Sequence, residues 1–293
     1  MVGCKKILIT GSKGQLGSSL RKISKNYSFN FIFTDKINLD ITNSEMTEQF
    51  FKKNKIDTVI NCAAFTDVEN AELMQNQANT LNNKAVSFLA NICSEYNIQL
   101  IHISTDYVFD GKQDISYTEN DITNPLNYYG KTKLDAEYEI LKCNLKNSVI
   151  IRTSWLYSEF ENNFVSKILN KINSGTDVYV VSDEIGSPTN SMDLAKTILD
   201  IIPKINNEQT EIYNFSNIGF CSRFEFATEI KNIMNSKVKV IPYFNKEPKL
   251  IRPKFSALDT SKIIKSFKIN INTWESSLKN HLLKNNIVYN YEV

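Results

Sequence analysis

The sequence predicts an α/β fold, a Rossmann-type doubly wound parallel sheet with a smaller C-terminal α/β lobe. Three observations lead to this prediction. In the first half of the 293-residue chain, short apolar runs alternate with longer stretches that carry apolar side chains at helical spacing. A glycine-rich turn follows the first apolar run and opens the first helical stretch. The chain is 42% hydrophobic and 23% charged, which is typical of a folded globular protein.

The apolar runs of the first half predict five strands, at residues 6–10, 29–34, 58–62, 99–103 and 148–152. Helical stretches lie between them, and a parallel sheet needs such crossover helices on both of its faces. The two longest of these stretches are at residues 43–55 and 70–96. In the less regular second half we expect helices at 164–172, 191–202, 223–234 and 274–284, and strands at 178–181, 212–215 and 238–241.

The length suggests two domains, because a domain takes roughly 150 residues. We expect a dinucleotide-binding Rossmann domain at residues 1–155 and a mainly substrate-binding lobe at residues 156–293. We also expect the chain to re-enter the first domain around residues 176–203.

Charge and cysteine content exclude several classes of protein. The 34 basic residues nearly balance the 32 acidic ones and are scattered, which argues against a nucleic-acid or membrane partner. The five cysteines are odd in number and widely spaced, so neither a disulfide framework nor a metal site is signalled. No run approaches the ~18 apolar residues of a membrane helix, and no secretory signal is recognisable. We therefore expect a cytoplasmic protein.

The glycine-rich turn contains Gly11, Gly14 and Gly17, three of only nine glycines. Glycines between a strand and a helix let backbone N–H groups approach a pyrophosphate at the positive end of the helix. We interpret this turn as a dinucleotide site. Asp35, at the end of the second predicted strand, lies where an acidic residue binds the adenosine ribose, whereas the neighbouring Lys36 would attract a 2′-phosphate. NADH and NADPH therefore both stay open.

Two Tyr-x-x-x-Lys pairs occur, Tyr129–Lys133 and Tyr138–Lys142. The two tyrosines are about half a turn out of phase at ~100° per residue, so one helix cannot direct both at the same site. Tyr129 lies at the predicted start of the helix, near the mouth of the sheet, and is the better candidate. Tyr138 should pack or face solvent. A nearby ammonium lowers the pKa of a phenol, which would make Tyr129 a usable general acid or base.

Thr105 follows the fourth predicted strand at its carboxyl end, the edge of a parallel sheet where ligands bind. Its hydroxyl is suited to align a substrate oxygen. Together with the glycine-rich turn, this position favours a catalytic role for Thr105, Tyr129 and Lys133.

These segments resemble the extended short-chain dehydrogenase/reductases, and among them most closely the dTDP-4-dehydrorhamnose reductases. The most specific segment is STDYVFDG at residues 104–111, and GSKGQLG at 11–17 and YGKTK at 129–133 support it. Further matching segments lie at residues 39–42, 61–66, 125–127, 152–157, 186–189, 252–253, 256–258 and 274–275. The resemblance covers nearly the whole chain.

The resemblance implies a role for each matching position. The diphosphate of NADPH or NADH would lie on the turn formed by Lys13, Gly14, Gln15, Leu16 and Gly17. Residues lining the rest of the cofactor would be Asp40, Ile41, Ala63, Ala64 and Phe65. Lys133, besides its catalytic role, would hold the nicotinamide ribose. Substrate contacts would come from Thr105, Asp106, Trp155 and Arg252, the last through a diphosphate, which a guanidinium binds in bidentate fashion.

The implied reaction is the NAD(P)H-dependent reduction of the C4 ketone of dTDP-4-dehydro-L-rhamnose to dTDP-L-rhamnose, a step of nucleotide-sugar and cell-surface polysaccharide biosynthesis. One alternative is a reductase or epimerase of another nucleotide 4-keto sugar. Another is a non-catalytic, dinucleotide-binding regulatory subunit. A dehydratase is disfavoured, because Thr105 is followed by Asp106 and Tyr107 and not by an Asp-Glu pair.

Two positions depart from the resemblance. Phe65 replaces a residue that is often Tyr or His in relatives. Ser19 stands where some relatives carry a glutamate that helps to bind Mg²⁺ between subunits. We therefore expect no metal-bridged dimer, although a homodimer is compatible with the resemblance.

Overall fold

A parallel sheet forms the centre of the protein in the computed structural model, which describes residues 4–245 and 249–284. The strands of these residues are β1 (Lys6–Thr10), β2 (Asn30–Phe33), β3 (Thr58–Asn61), β4 (Gln99–Thr105), β5 (Val149–Thr153), β6 (Leu156–Tyr157), β7 (Val178–Val181), β8 (Ile185–Gly186), β9 (Thr189–Asn190), β10 (Glu211–Phe215), β11 (Cys221–Ser222) and β12 (Val240–Tyr243). Six of them pair in the order β2-β1-β3-β4-β5-β10, and every neighbouring pair is parallel. The predicted fold class is confirmed.

Helices cover both faces of this sheet. Within the described residues they are α1 (Gln15–Ile23), α2 (Ser44–Asn54), α3 (Val68–Leu73), α4 (Gln75–Asn79), α5 (Ala85–Glu95), α6 (Tyr128–Lys142), α7 (Phe164–Asn173), α8 (Ser191–Ile201), α9 (Arg223–Ile233), α10 (Ser261–Phe267) and α11 (Trp274–Lys284). One buried cluster joins the sheet to α1, α8 and α10, and a second joins its other face to α2, α5 and α6.

The helical stretch expected at residues 70–96 is interrupted. It consists of α3, α4, a π-helical turn at Thr80–Lys84, and α5. The turn buries Asn82, which accepts from Phe65 N at 2.7 Å and donates to Phe65 O at 3.1 Å. The loop that carries Phe65 is therefore hydrogen-bonded to the π-helical turn through Asn82. Helical periodicity cannot indicate such a contact between separate segments.

A third buried apolar cluster lies outside the central sheet. It contains residues of α7, α9 and α11 together with β7. Here β7 pairs with β12, while β8 pairs with β11. Two other segments of the second half lie on the central sheet, since β10 is its sixth strand and α8 packs on α1. The division at residue 155 and the re-entry at residues 176–203 stay predictions.

The strand order creates a crevice at one edge of the sheet. The chain passes from β1 outward to β2 and then returns across β1 to β3. At such a switch point the following connections run to opposite sides and leave a crevice outside the carboxyl ends of the strands. Thr10, Asn61 and Thr105 are the last residues of β1, β3 and β4, so they all face this edge.

One face of α6 is polar and buried against the sheet. Tyr129, Lys133 and Glu137 recur every fourth residue, and Lys133 and Glu137 are both at most 2% exposed. The Glu137 carboxylate binds Arg152 of β5 with Nε–Oε1 and Nη2–Oε2 distances of 3.0 and 2.7 Å. It also accepts from the Ser104 hydroxyl of β4. Through Glu137, α6 is held to two adjacent strands.

Among residues 4–245 and 249–284, no helix combines the length and the apolar character that crossing a membrane requires.

Replacing Glu137 with Leu should lower the free energy of unfolding by about 3–5 kcal/mol, because it leaves the Arg152 guanidinium buried without its anion. Urea denaturation measures this loss. As a control, Lys52→Ala breaks the exposed Lys52–Glu48 pair of α2 and should change the free energy of unfolding far less, because exposed ion pairs contribute little to stability. Equal losses in the two variants would show that the Glu137–Arg152 pair carries no special constraint.

Candidate active site

A cleft of about 1040 Å³ opens at the carboxyl edge of the sheet. Of the residues assigned to a site from the sequence, all but Arg252 line it. These are Gly11, Lys13, Gly14, Gln15, Leu16, Gly17, Asp35, Asp40, Ile41, Ala63, Ala64, Phe65, Thr105, Asp106, Tyr129, Lys133 and Trp155. Lys36, the alternative partner at the end of β2, also lines the cleft.

The glycine-rich turn has no room for side chains at two of its positions. Gly11 has a φ of +61°, and a Cβ there would lie 2.6 Å from Ala63 N. A Cβ on Gly17 would collide with Gly11 O. A Cβ on Gly14 would instead meet only Gly11 O, at 3.5 Å, so this glycine leaves open space beside the start of α1. The first-turn N–H groups of a helix have no partner within it, and here they face the cleft without a capping side chain.

Asp35 forms an ion pair across the cleft entrance. Its Oδ2 lies 2.5 Å from Lys13 Nζ of the glycine-rich turn, and its Oδ1 accepts from Ile37 N and Asn38 N at 3.0 and 3.1 Å. The Lys13 ammonium and the backbone donors lower the pKa of the Asp35 carboxyl. Lys36 is exposed beside it. Two cations and one carboxylate therefore meet at this end of the cleft.

Between the end of the cleft at Asp35 and the opposite end at Thr105, the wall comes from the loops after β2 and β3. The Asp40 side chain accepts from Thr42 N at 3.0 Å, which holds the loop before α2. Phe65, whose backbone is hydrogen-bonded to the Asn82 side chain, also lines the cleft.

Thr105 and Asp106 lie at the opposite end of the cleft. The Thr105 hydroxyl donates to Asp106 Oδ1 at 3.1 Å. Asp106 is 2% exposed, and its Oδ2 has no hydrogen-bond partner among the described residues. Burial raises the pKa of this carboxyl to about 6. The Ser256 and Thr105 hydroxyls oppose this rise by hydrogen bonding to the carboxyl. Asp106 thus lines the cleft as a buried carboxyl beside Thr105.

Tyr129 lies in the first turn of α6, as predicted, and Tyr138 is 48% exposed, which confirms that it faces solvent. Asn127 caps this helix by accepting from Gly130 N at 2.9 Å. Burial raises the pKa of the Tyr129 phenol above its usual value, and the Thr105 hydroxyl opposes this rise by hydrogen bonding. The phenol is thus protonated at neutral pH and is suited to give a proton to an oxygen in the cleft.

Lys133 is directed into the sheet. Its Nζ donates to Ile103 O at 2.6 Å and lies 3.2 Å from His102 Nε2. Burial lowers the pKa of the Lys133 ammonium to about 8. The expectation that this ammonium lowers the pKa of Tyr129 is not met: burial raises the pKa of the phenol, and the group that opposes this rise is the Thr105 hydroxyl.

Arg223, which the sequence analysis missed as a site residue, lines the cleft beside Trp155. Its Cζ lies 3.5 Å from the Trp155 ring centroid, and its Nε lies 3.7 Å from Glu184 Oε2. Ser222 and Glu225 form a capping box that starts α9 at Arg223. This helix starts at residue 223, as predicted from the sequence, but no local pattern shows the surface that Arg223 faces.

Arg252 lies outside the set of residues that line the cleft. Its Nη2 is 3.0 Å from Glu69 Oε1, and its Nη1 is 3.9 Å from Glu184 Oε1. Glu184 therefore stands between Arg252 and Arg223.

The described residues contain no group of three His, Cys, Asp or Glu side chains arranged to hold a metal ion. Ser19, at the position where some relatives carry a metal-binding glutamate, is buried and lies 2.6 Å from the Ser191 hydroxyl.

The sequence matches the RmlD substrate binding domain family over residues 5–287. It is 37% identical over 287 residues to a dTDP-4-dehydrorhamnose reductase of Aggregatibacter actinomycetemcomitans, a match that covers 94% of this chain and 97% of that protein.

Two crystal structures are similar along almost their whole length. A dTDP-4-dehydrorhamnose reductase from Clostridium acetobutylicum has a TM-score of 0.90 and 36% identity, covering 96% of this chain and 100% of that one. The same-named protein from Bacillus anthracis, in complex with NADP, has a TM-score of 0.90 and 32% identity, covering 97% and 99%.

Asp106→Asn should increase the free energy of unfolding near neutral pH by up to about 3 kcal/mol, since roughly two pKa units of unfavourable burial are removed. A carboxyl whose pKa is raised on folding stabilises the protein below its unfolded pKa of about 4 and loses this contribution as the pH rises through about 6. The advantage of the variant should therefore shrink on acidification from about pH 7.5 to 4, in urea denaturation at each pH.

Asp35→Asn is the matched control with the opposite sign. Because the pKa of Asp35 is lowered, the wild type should be the more stable protein at neutral pH, and acid should remove that difference. The same pH trend in both variants would contradict the assigned pKa of Asp106.

Proposed function

We propose, because this chain belongs to the RmlD substrate binding domain family, that it reduces the C4 ketone of dTDP-4-dehydro-L-rhamnose to dTDP-L-rhamnose in a NAD(P)H-dependent reaction. The chain is an oxidoreductase of the predicted family, and its substrate is a nucleotide sugar. One observation carries the proposal: Thr105, Asp106 and Tyr129 share one end of a cleft whose other end is a glycine-rich turn with no room for a side chain at Gly11 and Gly17.

The cleft fits NADPH or NADH. The open face of Gly14 and the first-turn N–H groups of α1 would hold the diphosphate, with Lys13, Gln15 and Leu16 around it. Asp35 would bind the adenosine ribose, and Lys133 the nicotinamide ribose. The cofactor walls would be formed by Asp40, Ile41, Ala63, Ala64 and Phe65. When bound, the reduced nicotinamide supplies the hydride.

Tyr129 is the proton donor in this proposal. Its phenol keeps its proton at neutral pH and gives it to the sugar oxygen as negative charge builds there. The Thr105 hydroxyl donates a hydrogen bond to the same oxygen, which stabilises that charge. Lys133 keeps the proton of the tyrosine mobile.

The end of the cleft at Thr105, where the sugar would lie, is lined by groups that can hydrogen-bond to sugar hydroxyls. The Asp106 carboxyl would accept from a ring hydroxyl, and Trp155 would pack beside the ring. Arg223 joins these predicted substrate residues because it stacks on Trp155 and faces the cleft. Arg252 would bind the nucleotide diphosphate, and to do so its guanidinium must exchange Glu69 for phosphate oxygens.

A homodimer and a cytoplasmic location complete the proposal. Light scattering of the purified chain, with and without a chelator, tests the dimer and any dependence on a divalent cation. Cell fractionation tests the location.

The decisive experiment offers enzymatically prepared dTDP-4-dehydro-L-rhamnose and NADPH to the purified chain and identifies the product by NMR. We expect dTDP-L-rhamnose with matching consumption of NADPH. A product with the other C4 configuration would indicate a different 4-keto sugar reductase. A parallel reaction contains NADH, and absence of oxidation of both nucleotides would indicate a non-catalytic binding subunit.

Tyr129→Phe should lower kcat by ~10²-fold or more, because it removes the proton donor and leaves the ring in place. Tyr138→Phe is the matched control and should be nearly silent, since that side chain is half-exposed and its hydroxyl makes a long contact of 3.4 Å with the Thr123 hydroxyl. Steady-state kinetics with the nucleotide sugar measures both. Equal losses would remove Tyr129 from the proposed role.

Asp35→Ala should shift cofactor preference toward NADPH by about tenfold in kcat/KM, an effect that low salt enlarges. The substitution removes a carboxylate that repels a 2′-phosphate and releases the Lys13 ammonium from its ion pair. For the wild type we expect NADH and NADPH to agree within about tenfold. Lys36→Ala should shift the ratio toward NADH, and an unchanged ratio in both variants would place the ribose away from β2.

A further inference from the structure

A chain of buried polar side chains crosses the carboxyl edge of the sheet behind Lys133. The Thr10 hydroxyl of β1 is 2.6 Å from Asn61 Oδ1 of β3, and Asn61 Nδ2 is 3.1 Å from His102 Nδ1 of β4. His102 Nε2 is in turn 3.2 Å from Lys133 Nζ. All four side chains are at most 2% exposed. The proposed reaction assigns a role to Lys133 alone among them.

The ionisable groups around Lys133 come from three elements. Glu137 lies one turn further along α6 and is paired with Arg152 of β5, Cys62 follows β3, and His102 belongs to β4. Burial, with a smaller effect of the Lys133 charge, lowers the pKa of His102 well below its usual value. The ring is therefore neutral near pH 7, with one N–H and one lone pair.

A neutral ring admits two hydrogen-bonding arrangements at these distances. If Asn61 directs its Nδ2 at Nδ1, the ring proton lies on Nε2, and Lys133 must accept it as a neutral amine, because an ammonium has no lone pair. If the amide is turned over, its oxygen accepts from Nδ1–H, and the lone pair of Nε2 faces an ammonium. The Thr10 hydroxyl serves both arrangements, since it can donate or accept. The orientation of one amide is thus linked to the charge of Lys133.

We propose that Asn61 and His102 are positioning residues that set the charge state of Lys133 and, through it, the pH range of the reaction. Only the second half of this inference rests on the proposed function. The linkage among the Asn61 amide, the His102 ring and the Lys133 amine is a property of the free protein. The ammonium form of Lys133 has three N–H groups, of which one donates to Ile103 O and one faces His102 Nε2. In the reaction, the third N–H is left for a ligand in the cleft.

NMR titration of the full chain, labelled at the lysine ε positions, tests the linkage directly. Lys133→Met identifies the Lys133 resonance by its loss. His102→Leu removes the lone pair that faces the ammonium, and the Lys133 pKa should fall by about one unit, a tenfold loss of proton affinity. His102→Gln supplies an amide near the position of Nε2 and should restore most of that shift.

Asn61→Asp probes the amide. A carboxylate can only accept from Nδ1–H, so Nε2 keeps its lone pair, and the Lys133 pKa should rise by about one unit. A carboxylate also attracts the ammonium directly. The double variant Asn61→Asp, His102→Leu separates the two effects, because only the part carried by the ring disappears when the ring is absent.

An unchanged Lys133 titration in His102→Leu would overturn the proposal, as would an Asn61→Asp shift that persists in full without the ring. Should His102→Leu not fold, Asn61→Asp decides, and an unchanged Lys133 titration in that variant would overturn the proposal. His281→Leu, at the other histidine, packed against Tyr157, should leave Lys133 unaffected. Shifted titrations in a chain that reduces no sugar would refute the proposed function and leave the linkage standing.

Discussion

The ion pair between Glu137 and Arg152 is the constraint on which the geometry of the site depends. Two charges that are at most 3% exposed can be tolerated only in good mutual geometry, and here the carboxylate meets the guanidinium twice and also accepts from Ser104. These contacts fix α6 in rotation and height against β4 and β5. Since Tyr129 and Lys133 share a helix face with Glu137, a helix placed otherwise would displace both from the cleft.

The same edge of the sheet concentrates polar groups that a stable core would avoid. Asp106 carries a buried oxygen without a partner, Lys133 is buried with its pKa lowered, and His102 is held neutral. Each of these costs folding free energy. The apolar clusters on both faces of the sheet supply the stability that tolerates them. Stability and chemistry are therefore divided between the interior of the sheet and its carboxyl edge.

Trp155 and Arg223 contribute the remaining wall of the cleft. Trp155 has a left-handed φ of +43°, which is uncommon for a large side chain, and its indole packs against Gly186. Arg223, brought in by α9, lies over the ring. This wall thus combines residues that are far apart in the chain, whereas the glycine turn comes from one short segment.

Local patterns in the sequence determined the strands and helices of the first half, the glycine turn, and the choice of Tyr129 over Tyr138, because periodicity and helix phase depend on neighbours along the chain. The tertiary structure alone decided the π-helical break at Asn82, the addition of β10 as the sixth strand, the direction of Lys133 toward His102, and the placement of Arg223 rather than Arg252 in the cleft wall. Each of these depends on a contact between distant segments. A sequence pattern shows which face of an element is buried, and only the fold determines which partner covers it.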